Sequence, residues 1–290
     1  QALRTYRHAP NAGSRKSWAA GDATSRAVRL VDITRRGEMG IPSALTAPQW
    51  GFYDVLFSHT NKDLTLKPEN ERCFTFQREF GSYVMENVLF KISFPAEFHA
   101  QTACEAAVIL HPRIDDRMEE IEKIILTTHE SAIRIISKEG TLANPADRDH
   151  CLQYMVAVAL LTGDLMAENY EDDYHAEHHI LIDGLRHKMV VEEDAGYSKD
   201  YHDPSKRSIA NAIQVFFKDG SSTDKVAIEY PIGHKRRRTE GLPVLEAKFR
   251  ASLATRFIDS RCTEIFALCS DQQRLEQTPV NEFMDLLVTY

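Results

Sequence analysis

Cysteine is sparse in this sequence and never paired. Cys73, Cys104, Cys151, Cys262 and Cys269 are odd in number and widely spaced with no C-x-x-C, so neither a disulfide framework nor zinc or iron–sulfur ligation is suggested. A reducing compartment is expected. Long apolar runs are also missing: Cys151 to Leu161 is broken by Gln153 and stops before Gly163, well short of the roughly 20 residues that cross a bilayer. A soluble chain with no membrane contact is expected. The formal net charge is -8, which argues against a general nucleic-acid or membrane-surface binder, because phosphates attract clustered Lys and Arg. No P-loop, dinucleotide-binding glycine pattern or G-x-S-x-G elbow is found, so phosphoryl and hydride transfer lose support. An initiator Met and a signal-like segment are absent at Gln1, and a motif-dense stretch follows within a few residues. A truncated amino end is expected, with any targeting signal outside the chain.

What is present is the apolar and charged balance of a globular protein, with room in 290 residues for one large core or two modest ones. Asp22 to Arg36 carries Ala23, Ala27, Leu30, Val31 and Thr34 at helical spacing and reads as an amphipathic helix ended by Gly37 and Gly40. Phe52 to Phe57 fits a helical turn or a strand. The polar stretch Ser58 to Glu79 looks like an insertion or linker, with a boundary near Phe80. Glu97 to Leu110 reads as a helix stopped by Pro112, and Ile121 to Ile136 as a strand-like run. Asn144-Pro145 sets up a helix start, cap then first position, with the helix running to about Leu161. Ile209 to Lys218 and Val226 to Pro231 are two strands joined through Asp219-Gly220, with Val190 to Glu193 nearby. Helices return after Pro243, over Leu245 to Thr255, Cys262 to Ser270 and Val280 to Val288. The fold class expected is α+β: part of a large helical domain over 1–80, an α+β lid over 81–232, and helices rejoining the helical domain over 233–290.

Three clusters carry chemistry. In Ser14 through Thr24, a loop of small residues before a helix, with Arg15 and Lys16 beside it, can cradle a carboxylate at the positive helix end. Around Pro95, Lys91, Glu97 and His99 converge within about one turn, a set that can bind an anion and move protons. In Asn144 through Tyr154, Arg148 can hold a carboxylate bidentately, and Asp147, His150 and Tyr154 fall on one helical stripe. Taken singly, the first cluster reads better as a capped helix with solvated charges and the third as a polar first turn before a core helix, while the second fits a plain helix start equally well. Two further features have plain readings. The run Gly233-His234-Lys235-Arg236-Arg237-Arg238 reads as a solvated turn, and His175, His178 and His179 as part of a polar connection, since their spacing matches no standard metal site.

In order along the chain, Arg4 to Pro10, Arg15 to Thr24, Gly37-Glu38-Met39-Gly40, Trp50 to Phe57, Gly81 to Gln101, Asn144 to Tyr154 and Tyr230-Pro231-Ile232-Gly233-His234 resemble the MmgE/PrpD family, in the branch that dehydrates 2-methylcitrate. The likeness runs nearly end to end, and the wording is most similar to fungal members. It implies a large helical domain with a smaller α+β lid, a cleft between them, and elimination of water from 2-methylcitrate in propionate breakdown, with no metal, iron–sulfur cluster or other cofactor. It implies a homodimer that takes a small tricarboxylate, in the mitochondrial matrix if the source is fungal and in the cytoplasm if bacterial. Lys16 and Lys91 match family lysines, and His99 and Tyr154 lie in segments similar to the family's cleft-lining ones. The amino-terminal helices through which the family adds an Asp, a Thr and a His to the cleft have no counterpart here, so a weakly active chain with exposed apolar surface is expected.

The expected catalytic residues are therefore Lys16, Lys91, His99 and Tyr154, with Arg15, Asp22, Glu97, Arg148 and His150 contacting substrate. Lys16, Lys91 and Arg148 would neutralise carboxylates, and His99 or Tyr154 would serve the proton transfers. Two alternatives stay open: a cis-aconitate decarboxylase or related small-polycarboxylate lyase, and an inactive fragment that serves as a binding or assembly module.

Overall fold

The computed structural model describes the backbone of residues 15–60, 63, 65–68, 71–72, 79 and 88–289, with side chains from residue 18 onward within that set. It divides into two compact units, one within 14–86 and the other within 87–290. The first unit contains helix α1 (Arg15–Arg35) and helix α2 (Phe52–Phe57). Helix α1 is longer than the expected helix: Trp18 to Gly21 are helical rather than a loop, so the cradle of loop N–H groups inferred there does not exist. Its length has a local cause. Arg26 pairs with Asp22 and Arg36 with Asp32, each at 3.0 Å one turn apart with the acid on the N-terminal side, the orientation that favours a helix. Val28, Leu30 and Val31 on this helix are 69%, 63% and 60% exposed. Phe52 to Phe57 takes the helical alternative, with the Phe52 ring against Tyr53 and Phe57.

The second unit is α+β. Its sheet has strands β1 (Ile121–Thr128), β2 (Met189–Glu193), β3 (Asn211–Phe217) and β4 (Val226–Ile228) in the order β2-β1-β3-β4. β1 runs parallel to β2 and antiparallel to β3, with Ile124 opposite Met189 and Leu126 opposite Ile213. Between β1 and β2 the chain makes helices α3 (Glu130–Ile136), α4 (Pro145–Arg148), α5 (Leu152–Thr162) and α6 (Asp172–Arg186). Before β1 lies helix α7 (Gln101–Ile114), entered through a 3-10 turn at Phe98–Ala100. Leu152 to Leu160 of α5 are all buried. That follows from position: α5 packs against α7 on one side and α6 on another, and a helix apolar all round is stable only inside. α5 stops at Gly163, whose φ of +72° suits glycine and where a Cβ would lie 2.7 Å from the His111 ring.

Several boundaries differ from the sequence reading. Only Ile121 to Thr128 of the strand-like run is strand; Glu130 to Ile136 is helix, because His129 caps it by accepting from the Ala132 N–H. The helix started by Asn144-Pro145 ends at Arg148, a turn through Asp149, His150 and extended Cys151 intervenes, and α5 begins at Leu152. Asp147, His150 and Tyr154 therefore share no helical stripe. Pro112 and Pro243 lie inside helices rather than bounding them. Pro112 sits in the last turn of α7 and Pro243 just past the first turn of helix α8 (Arg238–Ala254), where one lost hydrogen bond is tolerated. Helices α9 (Asp259–Cys269), α10 (Gln272–Gln277) and α11 (Val280–Asp285) complete this unit.

Candidate active site

The Phe94-Pro95-Ala96 turn is fixed from the helix that follows it. The buried Gln101 amide donates to the carbonyls of Phe94 at 3.0 Å and Ala96 at 2.8 Å, so the chain arrives at Glu97 in one conformation. Glu97 then caps the 3-10 turn: its Oε2 accepts the His99 backbone N–H at 2.7 Å. The same oxygen lies 2.9 Å from His99 Nδ1. From the β3 side, the Asn211 amide donates to the His99 carbonyl at 2.8 Å and to Thr102 Oγ1 at 2.7 Å. Both faces of the histidine's backbone are held before any ligand arrives.

Two residues from distant segments complete the cluster. Tyr201, on helix α12 (Ala195–His202), places its hydroxyl 3.2 Å from His99 Nε2. Its ring stacks on His129 with centroids 4.5 Å apart and planes 10° from parallel. The His99 and His129 rings are 5.3 Å apart. Helix α12 is tied to the start of α3 where the Ser198 hydroxyl accepts the Glu130 N–H at 2.9 Å and donates to Glu193 at 2.6 Å. Glu97, His99 and His129 are buried, while Tyr201 is half-buried and forms the outer wall.

The electrostatics assign the protons. Burial opposes ionisation of Glu97, but the side-chain bond, the charge and the backbone N–H of His99, with His150 adding to them, outweigh it and hold the carboxyl down to about 2. An ionised carboxylate only accepts, so His99 Nδ1 carries hydrogen, and in the neutral ring Nε2 is then the acceptor that faces the Tyr201 hydroxyl. His129 is pushed down to about 4, first by burial and then by the His99 charge, against a smaller pull from Glu97. It is neutral at physiological pH. Its Nδ1 accepts from Ala132, so Nε2 carries the hydrogen and is buried without a partner. The result is a base oriented by a carboxylate, with a phenol on its reactive nitrogen and a buried N–H donor alongside, the constellation that proton transfer requires. Among the described residues no group of three or more His, Cys, Asp or Glu is placed to hold a metal ion, and no helix is long and apolar enough to cross a membrane.

The expected site residues divide. Glu97 and His99 are brought together as expected. Lys91 is exposed on the loop that precedes them, and that loop is seated by Gly233: the Phe90 N–H donates to the Gly233 carbonyl and the Lys248 ammonium to the Lys91 carbonyl at 2.9 Å. Arg148 is 1% exposed and spends its guanidinium on the Tyr170 carbonyl at 2.7 Å and the Asp172 carboxylate, clamping the chain ahead of α6. Tyr154 is fully buried and donates to the Asn169 carbonyl at 2.6 Å, and burial pushes its phenol well above the usual range against the pull of Arg148. His150 is buried with Nδ1 on the Asp149 carboxylate. Asp22 lies within α1, paired to Arg26. The side chains of Arg15 and Lys16 lie outside the described residues. His175, His178 and His179 stand on α6 rather than in a connection. The basic run is no solvated turn throughout: Arg237 forks onto Glu105 at 2.8 and 3.0 Å and donates to the Tyr230 carbonyl at 2.6 Å.

His129 and Tyr201 escaped the sequence reading. His129 follows a β-branched strand directly and caps a helix, a polar residue at a strand-to-helix corner, and this was the one available signal. Tyr201 lies 102 residues from His99 with none.

The family's C-terminal domain profile, described as MmgE/PrpD C-terminal domain, matches residues 94–272, and the MmgE/PrpD N-terminal domain matches residues 1–65. The chain belongs to the MmgE/PrpD family. Every residue of the Glu97, His99, His129 and Tyr201 cluster falls inside the C-terminal match. Among curated relatives, the chain is 56% identical over 99% of its length to the 2-methylcitrate dehydratase of Salmonella typhi, covering 57% of that protein. It is 51% identical to the mitochondrial 2-methylcitrate dehydratase of Yarrowia lipolytica, over 99% of the chain and 53% of the relative. To the 2-methylcitrate dehydratase-like protein oryR of Aspergillus oryzae it is 41% identical, over 99% of the chain and 55% of the relative. The chain thus spans about half the length of the curated relatives it matches.

Proposed function

We propose that the protein is a 2-methylcitrate dehydratase that eliminates water from its tricarboxylate without a metal or other cofactor, acting as a homodimer. The observation that carries the reading is the Glu97, His99 and Tyr201 chain, supported by the names of the relatives. Removing a proton next to a carboxylate needs a neutral base whose protonated form is stabilised. Glu97, ionised down to about pH 2, accepts from His99 Nδ1 at 2.9 Å and orients the ring for that task. Lys91, with Lys16, supplies positive charge for the substrate carboxylates, which bind through charge-assisted hydrogen bonds. The mitochondrial name of the Yarrowia lipolytica relative supports a matrix location for a fungal source, and bacterial relatives such as that of Salmonella typhi support a cytoplasmic one for a bacterial source.

The test is product analysis with protein expressed from its complete reading frame. Incubated with 2-methylcitrate, it yields 2-methyl-cis-aconitate and water, followed by proton NMR, with unchanged rate after exhaustive chelation. Release of carbon dioxide from cis-aconitate in place of dehydration would assign the protein to decarboxylation instead. Sedimentation equilibrium showing a monomer at micromolar concentration would remove the homodimer.

A further inference from the structure

We infer that Tyr201 is the general acid that protonates the departing hydroxyl, a role that rests on the dehydratase reading. His99 is only 6% exposed, and its one reactive nitrogen, Nε2, is covered by the Tyr201 hydroxyl at 3.2 Å. Any substrate atom that reaches Nε2 therefore meets the phenol oxygen as well. The opposite nitrogen is committed to Glu97, so no other approach to the base exists within the ring. Tyr201 is also held in place for the task. Its ring lies flat on His129, and His129 is fixed as the cap of α3.

The step balances with these groups alone. His99 Nε2 takes the proton from the carbon next to a carboxylate while the C–O bond breaks and its electron pair leaves on oxygen. Tyr201 gives its hydroxyl proton to that oxygen and water departs. His99 then returns its proton to the phenolate oxygen 3.2 Å away, which restores both residues. One C–H and one C–O bond are lost, one C=C and one O–H are formed, and no external acid is consumed.

Tyr201→Phe keeps the ring stacked on His129 and removes only the hydroxyl. With protein from the complete reading frame, the expected result is an unchanged thermal midpoint, a KM within a few-fold of wild type, and kcat on 2-methylcitrate down by about 10²–10⁴-fold. The deciding readout is an analogue with fluorine in place of the departing hydroxyl, since fluoride leaves without being protonated. On it, Tyr201→Phe is expected to release fluoride at close to the wild-type rate, whereas His99→Gln is slow on both compounds. Equal slowing of Tyr201→Phe on the two compounds would reduce Tyr201 to a positioning residue and overturn the acid role, as would an unimpaired kcat on 2-methylcitrate. Absence of turnover by the wild-type protein on either compound would instead overturn the dehydratase reading, and this role with it.

Discussion

A buried imidazole with no charged partner destabilises a protein in acid, and His129 is such a group. It is held at about 4 against an ordinary 6.5, so between those values the unfolded chain binds a proton that the folded one refuses. Stability is then full above pH 6.5 and falls as pH drops through 4. His234, held at about 4 by burial and by Arg236, Lys235 and Arg238, adds a slope in the same window. Glu97 acts lower: its carboxyl is depressed to about 2 from 4.5, so its contribution is present above pH 4.5 and lost as pH falls through 2. His129→Asn keeps a good cap on α3 while removing the titration. Urea unfolding at pH values from 4 to 7 should show a shallower slope in the variant than in wild type, a difference on the order of 1–3 kcal/mol at pH 4. A curve parallel to wild type would mean that His129 is charged or exposed in the fold. For Lys91, loss of one charge-assisted contact to a substrate carboxylate is expected to cost about 1.5–3 kcal/mol. Lys91→Met should accordingly lower kcat/KM for 2-methylcitrate by roughly 10–150-fold, and steady-state kinetics at wild-type level would remove Lys91 from the site.

Elements separate what sequence makes legible from what it does not. Several signals with a local cause were readable. Asn144 caps α4 by accepting from the Asp147 N–H at 3.0 Å, β1 forms from its β-branched run, and β3 and β4 pair antiparallel as their hairpin signal implies. Other boundaries were not read: a turn at Asp149 and His150 parts α4 from α5, and Pro112 and Pro243 lie within α7 and α8. The site was legible only in part because its residues meet through tertiary contacts. Glu97 and His99 adjoin in sequence, whereas His129 and Tyr201 arrive from the far end of β1 and from α12. The burial of Arg148 and Tyr154, each bonded to a backbone carbonyl, was not legible in the letters, because polar groups at a buried chain crossing use the same residue types as a binding site. Gly233 shows an element-scale dependence that an assay can reach. Its φ is +97°, and a Cβ there would stand 2.1 Å from the Phe90 carbonyl oxygen and 3.1 Å from Ile92. Gly233→Ala is expected to cost about 1–3 kcal/mol in urea unfolding and to lower kcat/KM by displacing the Lys91 loop. Unchanged stability would show that the loop is not seated on this turn.

At the scale of the whole molecule, the chain joins a described α+β unit that carries the His99 cluster to a helical unit that carries Lys16. The family match covers parts of both. The proposed dehydration requires that His99 is where the proton is taken. The most direct measurement is therefore kcat on 2-methylcitrate for His99→Gln, made in protein from the complete reading frame and accompanied by a thermal melt. The account predicts a cooperative melt like that of wild type and a kcat at least about 100-fold lower; a variant that dehydrates 2-methylcitrate at the wild-type rate would contradict it.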